Sequence, residues 1–223
     1  MKAGLLFDLD GTLVDTEADH FAAFGEILGG YGVALDPPAY AARVMGFPNA
    51  MIAADFLPML SPAEGLAALA RKEEVYRARL GALSPLPGLR ELLALARARG
   101  VALGLVTNAP RANAELVLGR LGLSGAFGCL VIADELAHSK PHPLPYLTGL
   151  ERLGAAAARS LAFEDSRSGI RSAVAAGIRT VGLTTTLEAA EILRLGAVAA
   201  ARDFRDARID ALMDGADAVA PRQ

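Results

Sequence analysis

Residues 1–13 read MKAGLLFDLDGTL, an apolar run that leads through two aspartates into a glycine turn. A short apolar run of this kind is typical of a buried strand, so Asp8 and Asp10 are expected at or just beyond its end. Side chains two apart on a strand point to the same side, which directs both carboxylates at one pocket. Carboxylates that share a pocket repel each other unless a cation lies between them or one stays protonated.

The length and composition favour one main domain with a modest insertion. The chain has 223 residues, of which 53 % are apolar and 21 % charged, so it can bury a sizeable core. Its formal net charge is -3, and no cluster of lysines and arginines interleaved with aromatics is present. We therefore expect no nucleic-acid partner.

The cysteine count and the apolar stretches point to a soluble protein of the cytoplasm. Cys129 is the only cysteine, which excludes an internal disulfide and a zinc site of several thiolates. The first residues do not read as a signal peptide, and no apolar stretch is long and uninterrupted enough to span a membrane. We expect a cytoplasmic monomer or weak homodimer without a membrane partner.

Two different patterns follow the glycine turn. Residues 15–82 read as successive helices that are broken by glycines and prolines. From Pro85 onward, helices alternate with short apolar runs at residues 101–106, 129–132, 160–163, 180–183 and, more weakly, 197–200. Strands that alternate with helices predict a parallel sheet covered by helices on both faces. We predict a doubly wound α/β core, Rossmann-like, of residues 1–14 and 84–223, with a helical-bundle cap inserted at residues 15–83.

Polar side chains follow several of the predicted strands where each strand ends. Thr107 and Asn108 follow one, Lys140 lies in a proline-flanked loop after another, and Glu164 and Asp165 follow a third. In open parallel sheets, ligands bind outside the carboxyl ends of the strands. We therefore expect these side chains to meet Asp8 and Asp10 at one edge of the sheet.

The charges of this predicted pocket indicate a metal and a reaction class. Four carboxylates face a single lysine, so the pocket needs a hard divalent cation with oxygen ligands, and Mg²⁺ fits. A carboxylate can attack phosphorus only if its charge and that of the phosphate are screened, which the metal and Lys140 would do. The second aspartate can serve as general acid to the leaving oxygen and as general base for water.

The motifs resemble those of the haloacid dehalogenase superfamily of phosphotransferases, over essentially the whole chain. They are Asp8-Leu9-Asp10-Gly11-Thr12-Leu13, Thr107-Asn108, Lys140 in Lys-Pro-His-Pro, and Glu164-Asp165-Ser166 with Gly169. The resemblance implies Asp8 as the nucleophile that forms an aspartyl-phosphate and Asp10 as acid and base. It implies Mg²⁺ held by Asp8, the Asp10 carbonyl and Asp165, with Glu164 assisting. Thr107, Asn108 and Lys140 would bind the phosphate.

The inserted helices resemble the cap of the phosphoglycolate phosphatase and β-phosphoglucomutase group. His20 resembles the mutase cap histidine that faces the active site, and Lys72 resembles a mutase cap lysine, so the resemblance implies that both bind substrate. The alternatives are that His20 is a partly buried residue of an amphipathic helix and that Lys72 lies on a charged helix surface. One departure is Asn49, which stands where those mutases carry an arginine for the distal phosphate and cannot grip a dianion as an arginine does.

The motifs favour a Mg²⁺-dependent phosphatase that acts on a small phosphorylated metabolite, either a sugar phosphate or a phosphoglycolate-like compound. A phosphohexomutase of the β-phosphoglucomutase type is the alternative, which His20 and Lys72 support and Asn49 opposes. A metal-free dehalogenase would leave Asp10, Glu164 and Asp165 with little purpose. A receiver-like binding module would share the acidic pocket, the threonine and the lysine, but the long insertion argues against it.

Overall fold

The computed structural model describes residues 2–217, which divide into two compact units. One unit runs to Asp15 and resumes at Ser84, and the other spans Thr16–Leu83. The first unit contains a β-sheet with helices between its strands, and the second is built of helices alone. That the helical unit acts as a cap stays a prediction.

The sheet has six strands, and every neighbouring pair is parallel. They are β1 Gly4–Phe7, β2 Ala102–Thr107, β3 Cys129–Ile132, β4 Leu161–Glu164, β5 Arg179–Leu183 and β6 Ala199–Ala201. Their order across the sheet is β3-β2-β1-β4-β5-β6. The predicted fold class, a doubly wound parallel sheet, is confirmed, because each expected strand is present and the order is that of a doubly wound fold.

The helices fall into two groups along the chain. Four belong to the helical unit: α1 Glu17–Gly29, α2 Pro37–Arg43, α3 Asn49–Phe56 and α4 Pro62–Arg79. Six alternate with the strands: α5 Leu89–Ala98, α6 Arg111–Arg120, α7 Leu144–Leu153, α8 Arg167–Ala175, α9 Ala189–Arg194 and α10 Ala207–Asp217. Within residues 2–217, no helix combines the length and the apolar character needed to cross a bilayer.

Strand β1 is buried along its whole length, which explains why its sequence is a continuous apolar run. Adjacent side chains pack on opposite faces of the sheet. Leu6 belongs to a cluster with Tyr146 and Ala162. Phe7 instead stacks on Phe163 of β4, with ring centroids 4.8 Å apart, and both rings contact Phe204. The alternation follows from the two-residue period of a strand.

The strand order positions the functional edge of the sheet. From β1 the chain adds β2 and β3 on one side, then crosses to β4, β5 and β6 on the other. The order therefore reverses between β1 and β4, and a crevice forms at such a switch point, outside the carboxyl ends of the strands. The residues that follow β1 and β4 line that crevice.

The helical unit has its own sequence signals and its own core. Ser61 caps the start of helix α4: its hydroxyl accepts from the Glu64 N–H, and the Glu64 side chain accepts from the Ser61 N–H. Asp36 caps the start of helix α2 in a similar way, because its side chain accepts from the Ala39 N–H. The apolar faces of α1, α3 and α4 bury one cluster that includes Leu28.

Candidate active site

Three buried carboxylates meet at the switch point of the sheet. Asp8 directly follows β1, Glu164 is the last residue of β4, and Asp165 comes next. The three residues each offer one carboxylate oxygen within 4.8 Å of the others. Because β1 and β4 are parallel neighbours, their carboxyl ends bring together residues that are more than 150 positions apart in sequence.

Lys140 links two of these carboxylates. It lies in the loop between β3 and α7, and its Nζ atom is 2.6 Å from Asp8 Oδ1 and 2.5 Å from Glu164 Oε1. Only 2 % of the Lys140 side chain is exposed, so both ion pairs are shielded from water. Tyr146 of α7 donates to the same Glu164 oxygen at 2.7 Å. Asp8, Lys140, Glu164 and Tyr146 thus form one hydrogen-bonded chain.

Electrostatic interactions give the hydrogen-bonded residues different protonation states. Burial raises the pKa of Asp8 to about 8, with the charges of Glu164 and Asp10 acting in the same direction and Lys140 against it. Burial opposes the charge on Lys140, yet Asp8 and Glu164 raise its pKa to about 12. Burial and Glu164 hold the pKa of Tyr146 well above its usual value. Lys140 is therefore a cation and Tyr146 a proton donor at neutral pH.

Asp165 is held from three directions. Thr12 donates to Asp165 Oδ1 at 3.1 Å, and Thr186 donates to Oδ2. On the third side, the backbone of Gly11 lies so close to the carboxylate that a Cβ added to Gly11 would be 2.1 Å from Oδ2. Gly11 also has a φ of 73°, which side chains rarely adopt, so the turn after the two aspartates requires glycine on both counts.

Asp10 lies outside the group of three carboxylates. Strand β1 ends at Phe7, so the two-residue period of a strand does not extend to Asp10. Its backbone instead forms a bridge to Val14 in the turn that follows. Its charge nevertheless acts on Asp8, whose pKa it raises. The predicted roles of Asp10, as acid and base and as a metal ligand, stay predictions.

The second and third motifs contact each other in the structure. Thr107 is the last residue of β2, is 2 % exposed, and accepts from the Ala109 N–H at 2.9 Å. Asn108 accepts from the Lys140 N–H at 3.3 Å, which joins the loop after β2 to the lysine loop. Phosphate binding by Thr107, Asn108 and Lys140 stays a prediction.

The two predicted substrate-binding residues of the helical unit, His20 and Lys72, lie close to each other within that unit. His20 of α1 has its Nδ1 atom 3.4 Å from Lys72 Nζ, and its ring stacks on Tyr76. Lys72 is 2 % exposed and forms an ion pair of 2.8 Å with Glu73. The alternative was that Lys72 lies on a charged helix surface, whereas the structure places its side chain out of contact with solvent. Asn49 donates to Glu73 at 3.1 Å, so it is part of the same network of side chains.

Sequence reasoning missed three of the residues that contact the site. Tyr146 follows Lys140 by six positions and looks like an ordinary helix residue of α7. Thr185 donates to the Gly11 carbonyl at 2.6 Å, and Thr186 donates to Asp165. The signal that could have found the threonines is the Thr184-Thr185-Thr186 run directly after β5, since polar residues at strand ends were the criterion elsewhere.

The donor set fits a hard divalent cation. Asp8, Glu164 and Asp165 supply only carboxylate oxygens, which are ligands that Mg²⁺ prefers. Three buried carboxylates with a single lysine between them also leave an excess of negative charge. Burial is the main cause of the raised pKa of Asp8, and the charges of Glu164 and Asp10 add to it. A divalent cation at this position would favour the ionised carboxylate.

Comparison with known proteins identifies the class. The haloacid dehalogenase-like hydrolase family matches residues 5–183, and the chain belongs to that family. The predicted superfamily is thereby confirmed. The phosphatases among its relatives confirm the predicted enzyme class, a phosphatase of this family.

Individual relatives cover most of the chain. The fructose-1-phosphate phosphatase YqaB of Escherichia coli is 37 % identical, over 80 % of this chain and 95 % of that protein. A phosphorylated carbohydrates phosphatase of Thermotoga maritima is 34 % identical, over 87 % of this chain and 92 % of that protein. The crystal structure of a HAD hydrolase from Entamoeba histolytica superposes with a TM-score of 0.87, over 96 % of this chain and 99 % of that one. Its 23 % identity supports the fold alone.

Proposed function

We propose that this chain is a Mg²⁺-dependent phosphatase that hydrolyses a small phosphorylated metabolite through an aspartyl-phosphate on Asp8. The observation that carries the proposal is the buried contact between Asp8 and Lys140, at 2.6 Å, beside two further carboxylates. Lys140 holds Asp8 in place and offsets negative charge in a site from which water is largely excluded.

The reaction has two steps that share the same residues. In the first, Asp8 attacks the phosphorus, the bond from phosphorus to the leaving oxygen breaks, and Asp10 donates a proton to that oxygen. In the second, Asp10 takes a proton from water as the water oxygen attacks the phosphorus. The bond between phosphorus and Asp8 then breaks, which releases inorganic phosphate and restores the Asp8 carboxylate.

The other residues bind and orient the phosphoryl group. Thr107 accepts a backbone hydrogen bond through its hydroxyl oxygen, which leaves the hydroxyl hydrogen for a phosphate oxygen. Mg²⁺, held by Asp8, Asp165 and the Asp10 carbonyl with Glu164 beside them, would screen the charges of the phosphate and of the attacking carboxylate. Thr12 and Thr186 keep Asp165 oriented for that purpose.

The substrate we propose is a sugar phosphate or a phosphoglycolate-like compound. The relatives that support the first choice are named a fructose-1-phosphate phosphatase and a phosphorylated carbohydrates phosphatase. A phosphoglycolate phosphatase of Xylella fastidiosa, 35 % identical over 78 % of this chain, supports the second.

A phosphohexomutase is the second candidate, and the contact between His20 and Lys72 is the observation that favours it. Two observations weigh against it. Glu73 already balances the charge of Lys72, and Asn49, in place of an arginine, donates to that same Glu73. A mutase must hold a second phosphate group, for which a cation of the helical unit would have to be available.

The proposal is tested by phosphate release across a panel of phosphorylated metabolites, with Mg²⁺ and with excess EDTA. We expect release on at least one sugar phosphate or on phosphoglycolate, and its loss in EDTA. Asp8→Asn removes the nucleophile and should lower turnover by a factor of about 10⁴ or more, which is the scale for an essential catalytic group. The matched control is Asp214→Asn, an exposed aspartate of α10 that pairs with Arg99.

Two results would contradict the phosphatase. Asp8→Asn with wild-type turnover would exclude the covalent route, and full activity in EDTA would exclude the metal. Incubation with β-glucose 1-phosphate distinguishes the phosphatase from the phosphohexomutase, since a mutase yields glucose 6-phosphate whereas a phosphatase yields free phosphate.

A further inference from the structure

The loop between β5 and α9 contacts two parts of the candidate active site through consecutive hydroxyls. Thr185 donates to the carbonyl of Gly11 at 2.6 Å, and Thr186 donates to Oδ2 of Asp165. Thr12 donates to the other oxygen of Asp165 at 3.1 Å. Both carboxylate oxygens therefore accept a threonine hydroxyl, one from each of two separate loops.

The order of the strands explains why these loops meet. Strand β4 lies between β1 and β5, and all three are parallel, so the loops that follow them leave the same edge of the sheet. Asp165 directly follows β4 and is flanked by the loop of β1 and the loop of β5. The contact with Thr186 spans 21 positions and that with Thr12 spans 153.

The backbone at Asp165 is already fixed by its neighbours. Ser166 caps α8 by accepting from the Gly169 N–H at 3.0 Å, so Asp165 stands between a strand end and a helix start. Asp165 can then change its conformation only by rotation about its side-chain bonds. A hydroxyl on each oxygen removes that freedom, and the 2 % exposure of Asp165 shows that water does not compete for it.

We infer that Thr186 is a positioning residue, which holds Asp165 in the orientation needed to bind the divalent cation. The inference rests on the proposed function, because it assigns Asp165 as a ligand of Mg²⁺. Partners of metal ligands in the surrounding layer fix the ligand's geometry, and their loss typically lowers metal affinity by about 10- to 100-fold. Thr186 acts through Asp165 and does not itself touch the reacting atoms.

The test measures metal binding without substrate, in the full chain. Thr186→Val has nearly the shape of threonine without the hydroxyl, and Thr186→Ser keeps the hydroxyl. Thr184→Val is the matched control, because Thr184 is an exposed threonine of the same loop. Calorimetric titration with Mg²⁺ gives the dissociation constant, and the electron paramagnetic resonance of bound Mn²⁺ gives a second readout of the same site.

We expect Thr186→Val to weaken Mg²⁺ binding about tenfold, with Thr186→Ser and Thr184→Val close to wild type. Wild-type affinity in Thr186→Val would overturn the inference, and so would equal weakening in Thr186→Val and Thr186→Ser. Because binding is measured without substrate, failure of the wild type to release phosphate would contradict the proposed function and leave this test intact. Circular dichroism of each variant verifies that it is folded.

Discussion

At the scale of single residues, the limited space around the buried carboxylates restricts which side chains can stand next to them. A Cβ on Gly169, in the first turn of α8, would lie 1.9 Å from Glu164 Oε2. Glu164 cannot move aside freely, since Lys140 and Tyr146 both bind its other oxygen. The glycine of the fourth motif therefore makes room for a carboxylate that holds Lys140.

Gly169→Ala should lower the free energy of unfolding by about 1–3 kcal/mol, because the new methyl group overpacks a buried site. It should also lower turnover by displacing Glu164. Gly25→Ala in α1 is the matched control, since outside the adjacent helix backbone no atom lies within 4 Å of a Cβ there. That control should raise the free energy of unfolding by about 0.5–1 kcal/mol through helix propensity. Urea unfolding measures both, and stabilisation by Gly169→Ala would contradict the steric argument.

Tyr146→Phe removes the hydroxyl that donates to Glu164 and leaves the ring in place. Glu164 then has one donor fewer for the oxygen that it shares with Lys140. We expect the catalytic rate to fall roughly fivefold, which corresponds to about 1 kcal/mol for one hydrogen bond, with little change in KM. Tyr31→Phe, at an exposed tyrosine, is the control. A rate in Tyr146→Phe equal to that of the control would show that the contact does not support the reaction.

At the scale of elements, α4 carries a buried ion pair that bears on stability. Lys72 and Glu73 lie within α4, and α1 and α3 contribute His20 and Asn49 to the same network. Burial opposes the charge on Glu73, but Lys72, Asn49 and His20 together hold the pKa of Glu73 below its usual value. Lys72 also lies 4.1 Å from the centroid of the Phe24 ring. The helical unit therefore depends on Glu73 being ionised.

Glu73→Gln should destabilise the protein by about 3 kcal/mol at pH 7, because it leaves the buried Lys72 without its counter-ion. The sign of the pH dependence follows from the lowered pKa. Glu73 contributes stability above its unfolded-state pKa, near 4.5, and that contribution disappears as the pH falls through its folded-state pKa. The difference between wild type and variant in urea unfolding should therefore shrink in acid.

Glu74→Gln is the matched control for this prediction, since Glu74 is the next residue and is exposed. We expect it to change the free energy of unfolding by less than about 0.5 kcal/mol at any pH, as surface substitutions usually do. An equal loss of stability in both variants, or a Glu73→Gln loss that grows in acid, would contradict the assigned ion pair.

At the scale of the whole molecule, metal binding should be coupled to folding. The three carboxylates come from positions 8, 164 and 165, which meet only when β1 and β4 pair. An unfolded chain therefore offers no comparable site. A ligand that binds only the folded state stabilises it in proportion to the logarithm of its concentration.

Mg²⁺ at 100 times its dissociation constant should stabilise the protein by about 2.7 kcal/mol and raise Tm accordingly. Asp165→Asn, which removes the charge of one proposed ligand, should abolish most of that rise. Asp214→Asn should retain it, because Asp214 is exposed and pairs with Arg99. Differential scanning calorimetry in Mg²⁺ and in EDTA measures the effect. An undiminished shift in Asp165→Asn would remove Asp165 from the metal site.

The sequence alone determined the architecture, the order of the motifs and the family. Strands buried on both faces are continuous apolar runs, and polar residues at their ends stand out against that background. The match of residues 5–183 to the hydrolase family agrees with this prediction. The cytoplasmic location, the oligomeric state and the roles of the individual site residues stay predictions.

Only the tertiary structure decided which side chains touch. Lys140 binds Asp8 across 132 positions and Glu164 across 24, and Thr186 binds Asp165 from the loop of a neighbouring strand. Lys72 proved to be buried although its helix segment is rich in charge. Such contacts depend on strand order and on helix packing, which bring distant segments together, and the local patterns of a single sequence do not encode that proximity.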